Sequence, residues 1–164
     1  MDAKIFLFLW DISRKNKIIR NASAFISMAS RPVYFAVYFG AAAYGIAAAL
    51  FDRVFYIKYL VIPFAAMVVS FILRGVIKRP RPKMSLDIEP LIKTGDNHSC
   101  PSNHAASAAV ISAACMTMSA PLGAILFTFT FITGTARVFT GAHYPADVAA
   151  GWALGILFGA AFLL

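Results

Sequence analysis

Arg137–Asp147 reads RVFTGAHYPAD, and the fold follows from how that stretch is read. It holds an arginine, a histidine and an aspartate among residues that are almost all apolar. No Asp, Glu, Lys or Arg occurs from Ala105 to Ala136, and none from Val148 to Leu164. Ionisable groups beside lipid are costly, and they are seldom there without a function. The plainer alternative is an Arg–Asp pair that only pins two helices together.

Composition narrows the setting. The chain has 164 residues, 60% of them hydrophobic, and a mean hydropathy of +0.75. These values exclude a soluble globular domain and a disordered chain, and they predict one integral membrane domain over residues 1–164. IFLFLW runs directly into Asp11 with no small-residue cleavage site, so no removable signal peptide is expected. The net charge of +8 points to an anionic partner. Its basic residues gather in Lys4–Arg31 and Arg74–Lys93, and no soluble module carries them. A phosphate headgroup or an anionic membrane surface therefore fits better than nucleic acid. Cys115 falls mid-helix and Cys100 in a loop, so no disulfide is expected. Cys100 and His104 lack the spacing and the further ligands of a metal site.

Taken outward from the opening stretch, the chain predicts an all-α, polytopic transmembrane bundle. About five spanning helices follow an N-terminal interfacial amphipathic helix within residues 1–30, whose Arg14, Lys15, Lys17 and Arg20 face headgroups. Pro32–Leu50 is the first span, broken at Phe51-Asp52-Arg53, and Tyr56–Ile77 is the second. Residues 78–101 open with KRPRPK, where two prolines in three residues cannot continue a helix. This polar segment reads as an active-site loop, with room for a short surface helix over the site. Ser102–Ser119 is the third span, Ala120-Pro121-Leu122-Gly123 a turn, and Leu122–Ala136 opens the fourth. The fifth runs from Pro145 to Leu164, with proline in its first turn and Asp147 near its N-terminus.

The turn carries a geometric consequence. His104 lies 16 residues before Ala120 and Arg137 lies 17 after it. At about 1.5 Å per residue both are roughly 25 Å from the turn, so a helical hairpin puts Ser102, His104 and Arg137 at one membrane face. The second span descends to the same face with Arg74 and Arg81. Converging guanidinium groups suit an anion with several oxygens, and the N–H groups opening a helix at Ser102, Asn103 and His104 add a ready anion site. A histidine held by a carboxylate has a fixed tautomer and a more basic free nitrogen, which fits His143 with Asp147 as a nucleophile. His104 has no evident carboxylate and suits proton transfer to and from the leaving oxygen. The arginines would stabilise charge on the transferring phosphoryl group, so no metal and no cofactor is expected. Ser102 and Cys100 stay open as rival nucleophiles, Ser102 with His104 as its base.

These residues resemble the type-2 phosphatidic acid phosphatase superfamily. That family shows Lys-x6-Arg-Pro, then Pro-Ser-Gly-His, then Ser-Arg-x5-His-x3-Asp. This chain has RGVIKRPRP, with Arg74 in the lysine position and Arg81-Pro82 matching. It then has Pro101-Ser102-Asn103-His104, with Asn for Gly, and Ala136-Arg137 followed by His143 and Asp147, with Ala for Ser. The resemblance implies His143 as nucleophile, Asp147 as its orienter and His104 as general acid. It implies that Arg74, Arg81, Ser102 and Arg137 bind phosphate, and Asn103 stands where it would meet the substrate. It further implies a multi-pass protein of the plasma membrane, with small bacterial relatives acting on polyprenyl phosphates.

The expected activity is metal-independent hydrolysis of a lipid phosphomonoester or terminal pyrophosphate. Polyprenyl diphosphate, phosphatidic acid and phosphatidylglycerol phosphate all fit, with membrane lipids as the surroundings and no nucleic acid as partner. The alternative is a non-catalytic protein that binds or moves phospholipid headgroups; it would need the arginines but neither histidine. In this layout the N-terminal basic block and the site share one face. Counting basic loop residues puts that face in the cytoplasm, whereas the family likeness favours an extracytoplasmic site.

Overall fold

The computed structural model describes residues 1–47, 53–95 and 98–164, and every element among them is helical. In chain order these are α1 (Asp2–Lys15), α2 (Lys17–Ala47), α3 (Arg53–Ile77), the single turn α4 (Pro82–Ser85), α5 (Asn103–Met118), α6 (Ala120–Phe139) and α7 (Pro145–Gly159). A short 3-10 turn, Ala160–Leu163, follows α7.

Helix α5 is the axis. It packs most extensively against α6 and α7, and also meets α2 and α3. Its sequence, NHAASAAVISAACMTM, explains this position. Small side chains let neighbouring backbones approach closely, and Ala105, Ala106, Ala108, Ala109 and Ala114 are buried. The contact with α7 is the tightest. A Cβ added to Gly155 would collide with the Ala106 carbonyl oxygen, and one added to Gly151 would strike the Ser102 carbonyl.

Hydroxyl groups fasten the outer helices. Tyr34 of α2 donates to the Leu126 carbonyl of α6 at 3.0 Å and lies 2.6 Å from Thr130 Oγ1. Thr130 in turn meets Ser112 of α5 at 2.9 Å. Tyr38 of α2 and Tyr59 of α3 stack at 4.9 Å, and each hydroxyl donates to the other's backbone carbonyl, at 2.8 and 3.1 Å.

Among the described residues three helices are long and apolar enough to cross a membrane: the one beginning at Arg53, Ala120–Phe139 and Pro145–Leu163. The described residues thus bear out the helical bundle and three of the expected spans by length and composition. Helix α5 is only 16 residues long, and its neighbours rather than lipid surround it. Half of α2 is too polar, because it begins at Lys17 and not at Pro32. Proline deletes one helical hydrogen bond, a loss that packed helices tolerate. The true break lies at Asn16, which is extended and caps α2 by accepting the Ile18 and Ile19 N–H groups at 2.9 and 3.1 Å. The expected end of the first span at Leu50 and its break at Phe51-Asp52 lie outside the described residues. Likewise Ala120–Gly123 is no turn but the first turn of α6, where Pro121 is well placed.

Helix α1, within the stretch expected to lie among headgroups, packs one face on the protein. Phe6 and Trp10 are buried against the protein, Phe6 edge-on to Tyr144 at 5.3 Å. Burying Phe6 alone is worth roughly 2 kcal/mol, so this helix is docked on the bundle beside the α6–α7 loop. Arg14, Lys15 and Lys17 remain exposed, and Arg20 is half-buried.

Candidate active site

Three backbone arrangements bring the charged residues together. At the end of α6, Thr140 caps the helix and Gly141 follows with φ +76°, a left-handed conformation that favours glycine. The chain then doubles back, so that Ala142 and His143 both donate to the Arg137 carbonyl, at 3.1 and 3.3 Å. His143 is therefore in the loop and outside α7. The tight turn, not a shared helical face, sets it beside Asp147.

The second arrangement is the opening of α5. Ser102 is its N-cap, and its backbone N–H donates to the Asp147 carbonyl at 2.8 Å. This fixes the start of α5 against the start of α7. Asn103 and His104 follow in the first turn, both half-buried. Asn103, where the resembled pattern has glycine, does not obstruct the loop: its Oδ1 accepts from Ser70 of α3 at 2.5 Å.

The third is the extended segment after α3. Arg74, in the last turn of α3, donates from Nε to the Pro101 carbonyl at 2.8 Å. Arg79 and Arg81 are two apart in extended chain, so both can point to one side. Arg81 donates to the Ala142 carbonyl at 2.9 Å and lies 3.4 Å from His143 Nε2. Arg79 donates to Asp147 Oδ1 at 2.8 Å. Ser99 then ties residues 98–102 back to the Arg79 and Pro80 carbonyls.

The result is a buried, cationic cup. Arg74, Arg81, Ser102, Arg137, His143 and Asp147 are all buried. Among the described residues Arg74 and Arg137 are in no ion pair, and Arg137 Nε, Ser102 Oγ and His143 Nδ1 have no hydrogen-bond partner. Buried charge without a counter-charge is expensive, and so is a buried polar group without a partner. One anion with several oxygens would relieve both. Burial pushes His143 down to about 4, with the charges of Arg137 and Arg81 adding to the shift against the pull of Asp147. Its ring is therefore neutral at pH 7, with a lone pair for attack. The Asp147 contact is looser than expected: Nδ1 is 3.7 Å from Oδ2, which is beyond hydrogen-bond reach. Asp147 Oδ2 instead accepts the Tyr144 N–H at 2.9 Å.

The rival nucleophiles fare less well. Ser102 Oγ has no partner to take its proton. Burial, followed by the nearby Asp147 charge, pushes the Cys100 thiol up and away from the reactive thiolate.

Two residues at the site went unread in the sequence, Arg79 and Asp2. Arg79 Nη2 donates to Asp2 Oδ2, which brings the N-terminus of α1 to the cup. The alternation in KRPRPK was the available signal for Arg79. Nothing in the sequence signals Asp2.

A cavity of about 550 Å³ lies between α2, α3 and α5, next in sequence to the cup's Ser102. Asn103, His104 and Arg31 stand at its polar end. Tyr34, Phe64 and Ile111 are among its mostly apolar walls.

Comparison with known proteins gives one answer. Residues 55–164 match the PAP2 superfamily. The chain is 32% identical over 98 residues to the undecaprenyl-diphosphatase BcrC of Bacillus subtilis, a match covering 60% of this chain and 51% of that protein. It thus spans about half the length of that curated relative. The crystal structure of Aquifex aeolicus LpxE superposes with a TM-score of 0.78 at 20% identity, over 99% of this chain and 94% of that one. A PAP2 type phosphatidylglycerolphosphate phosphatase from Bacillus subtilis gives 0.60 at 21% identity, over the same shares. These structural likenesses concern the fold, and the fold they share is the one that gathers Arg74, Arg81, Arg137 and His143. By its matched residues the chain belongs to the PAP2 superfamily, and its apolar helices make it a membrane protein.

Proposed function

We propose that the protein hydrolyses the phosphomonoester or terminal pyrophosphate bond of a membrane lipid through a phosphohistidine intermediate, without a metal ion. The observation that carries this reading is the buried cup itself. Arg74 and Arg137, in no ion pair among the described residues, and the orphaned Ser102 hydroxyl surround a neutral imidazole whose Nε2 faces Arg81.

The chemistry assigns each group a role. Arg74, Arg81, Arg137, Ser102 and the N–H groups of Asn103 and His104 hold the non-bridging phosphoryl oxygens. The lone pair of His143 Nε2 forms the N–P bond as the bond from phosphorus to the lipid oxygen breaks, and His104 gives that oxygen a proton. Water then attacks phosphorus, its proton returns to His104, and the N–P bond breaks. The net change is one ester or anhydride bond and one water converted to lipid product and inorganic phosphate. Asp147 holds the imidazole with Nδ1 protonated, and its distance to Nδ1 would shorten as charge develops on the ring, as catalytic hydrogen bonds often do once substrate binds.

The apolar cavity that starts at His104 supports a substrate with a hydrocarbon tail. The names of the relatives favour polyprenyl diphosphate or phosphatidylglycerol phosphate, with phosphatidic acid as a third member of the class. We place the protein in the plasma membrane, with the site on the extracytoplasmic side. The test is a panel of these lipids in detergent with a chelator present, scored by release of inorganic phosphate. Release without added magnesium, together with acid-labile, base-stable label on His143, is the expected result. Headgroup binding with no release would turn the reading to a lipid-binding protein, and label on Ser102 would move the nucleophile.

A further inference from the structure

Arg79 is held by two carboxylates. Nη1 donates to Asp147 Oδ1 at 2.8 Å and Nη2 donates to Asp2 Oδ2. Its guanidinium carbon lies 4.2 Å over the centre of the Tyr144 ring. The second Asp2 oxygen accepts the Ala146 N–H at 3.1 Å. Asp2 thus bridges two elements that flank His143, the extended segment and the start of α7. The rest of α1 reinforces the bridge, since Phe6 packs on Tyr144 and Trp10 lies against Gly141. A guanidinium so engaged could reach a phosphoryl oxygen only by leaving two carboxylates.

We propose that Arg79 is a positioning residue for Asp147, and that Asp2 makes the N-terminal helix part of that device. This rests on the reading of His143 as nucleophile. Arg79 holds Oδ1, which leaves Oδ2 as the oxygen turned to His143 Nδ1. Its positive charge also offsets the carboxylate, so that Asp147 orients the imidazole without loading it with a proton. The other groups that face this pair are Arg74 from α3, Arg81 beside Arg79, Cys100, His104 from α5 and Arg137 from α6. All except Arg79 and Asp2 are left unchanged in the test.

Arg79→Gln is expected to lower kcat about tenfold or more with KM little changed, as loss of an outer partner of a functional imidazole does. It should also move the acidic limb of kcat upward by about one pH unit, because an uncompensated Asp147 favours the imidazolium. Arg79→Lys keeps the charge and should restore the limb, but not the full rate. Asp2→Ala should lower kcat less, and the double variant should be no worse than Arg79→Gln alone, since Asp2 acts through Arg79. A raised KM with unchanged kcat in Arg79→Gln would make it a phosphate ligand and overturn the proposal. A lost rate with an unmoved pH limb would reduce it to a structural pin. An NMR titration of the His143 ring in the full chain needs no turnover. Its midpoint should rise in Arg79→Gln and return in Arg79→Lys, even if no lipid phosphate proves to be a substrate; an unmoved midpoint sinks the proposal.

Discussion

Helix α5 has two sides that are built in opposite ways. Towards α7 the backbones almost touch, with Gly151 and Gly155 set against the Ser102 and Ala106 carbonyls. Towards α2 and α3 the helices stand apart and leave a cavity of about 550 Å³, lined by aromatic and aliphatic side chains and spanned beyond it by the Tyr38–Tyr59 pair. The first side fixes atoms. Ser102, His143 and Asp147 are all tied to the α5–α7 contact, and a displacement of about 1 Å there would cost rate steeply. The second side has nothing to hold in register, and it suits a flexible tail that needs only apolar surface. On the proposed reading the nucleophile and the substrate tail fall on opposite sides of one helix, with His104 where the two meet.

His143→Ala should give the largest effect. Loss of a nucleophile is expected to lower kcat by about 10⁴-fold or more, with the thermal midpoint close to that of the parent chain. Gly155→Leu attacks the same side through packing. Overpacking costs about 1–3 kcal/mol or more where the neighbour is backbone, so melting should fall and activity on every lipid should fall together. Met67→Trp attacks the other side by filling the cavity. It should raise KM for a long-chain lipid phosphate about tenfold, or about 1.4 kcal/mol, while turnover of a short-chain phosphate stays as it was. Equal losses on both substrates would mean that the cavity does not hold the tail.

Acid probes the catalytic side more gently. The folded-state value of His143 is about 4, below the ordinary imidazole value, because burial disfavours the cation. The unfolded chain therefore binds the proton first, and this contribution to stability is lost as pH falls from about 6.5 to about 4. Melting at pH 7 and pH 4.5 should show the loss, and His143→Ala should reduce it. Tyr38→Phe is the mildest change. It leaves the Tyr59 carbonyl without its donor, costs about 1 kcal/mol, and should not alter kcat.

Particular residues show where sequence reading succeeds. The charge-free runs flanking Arg137 and Asp147 marked the site, and helical rise alone put Ser102, His104 and Arg137 at one end of a hairpin. The reading of Pro32 failed because a proline's lost hydrogen bond is a local cost that packing overrides, so α2 runs through it. The reading of Ser102–Ser119 as a helix matched α5, though its enclosure by other helices was not legible. A helix enclosed by its neighbours has no need of lipid-length hydrophobicity, and its alanines say only that something comes close. Arg79 was hidden by its company, since each basic residue of KRPRPK looks alike in one dimension.

By itself the sequence determined the helical class, the membrane setting and the candidate residues that the fold gathers. Those depend on residue type, short spacing and the cost of charge beside lipid. Only the tertiary structure decided that Arg79 meets two carboxylates. It also decided that Asp2, 145 positions from Asp147, stands beside it. Such partners are chosen by the docking of whole helices, and apolar surfaces far from the charges govern that docking.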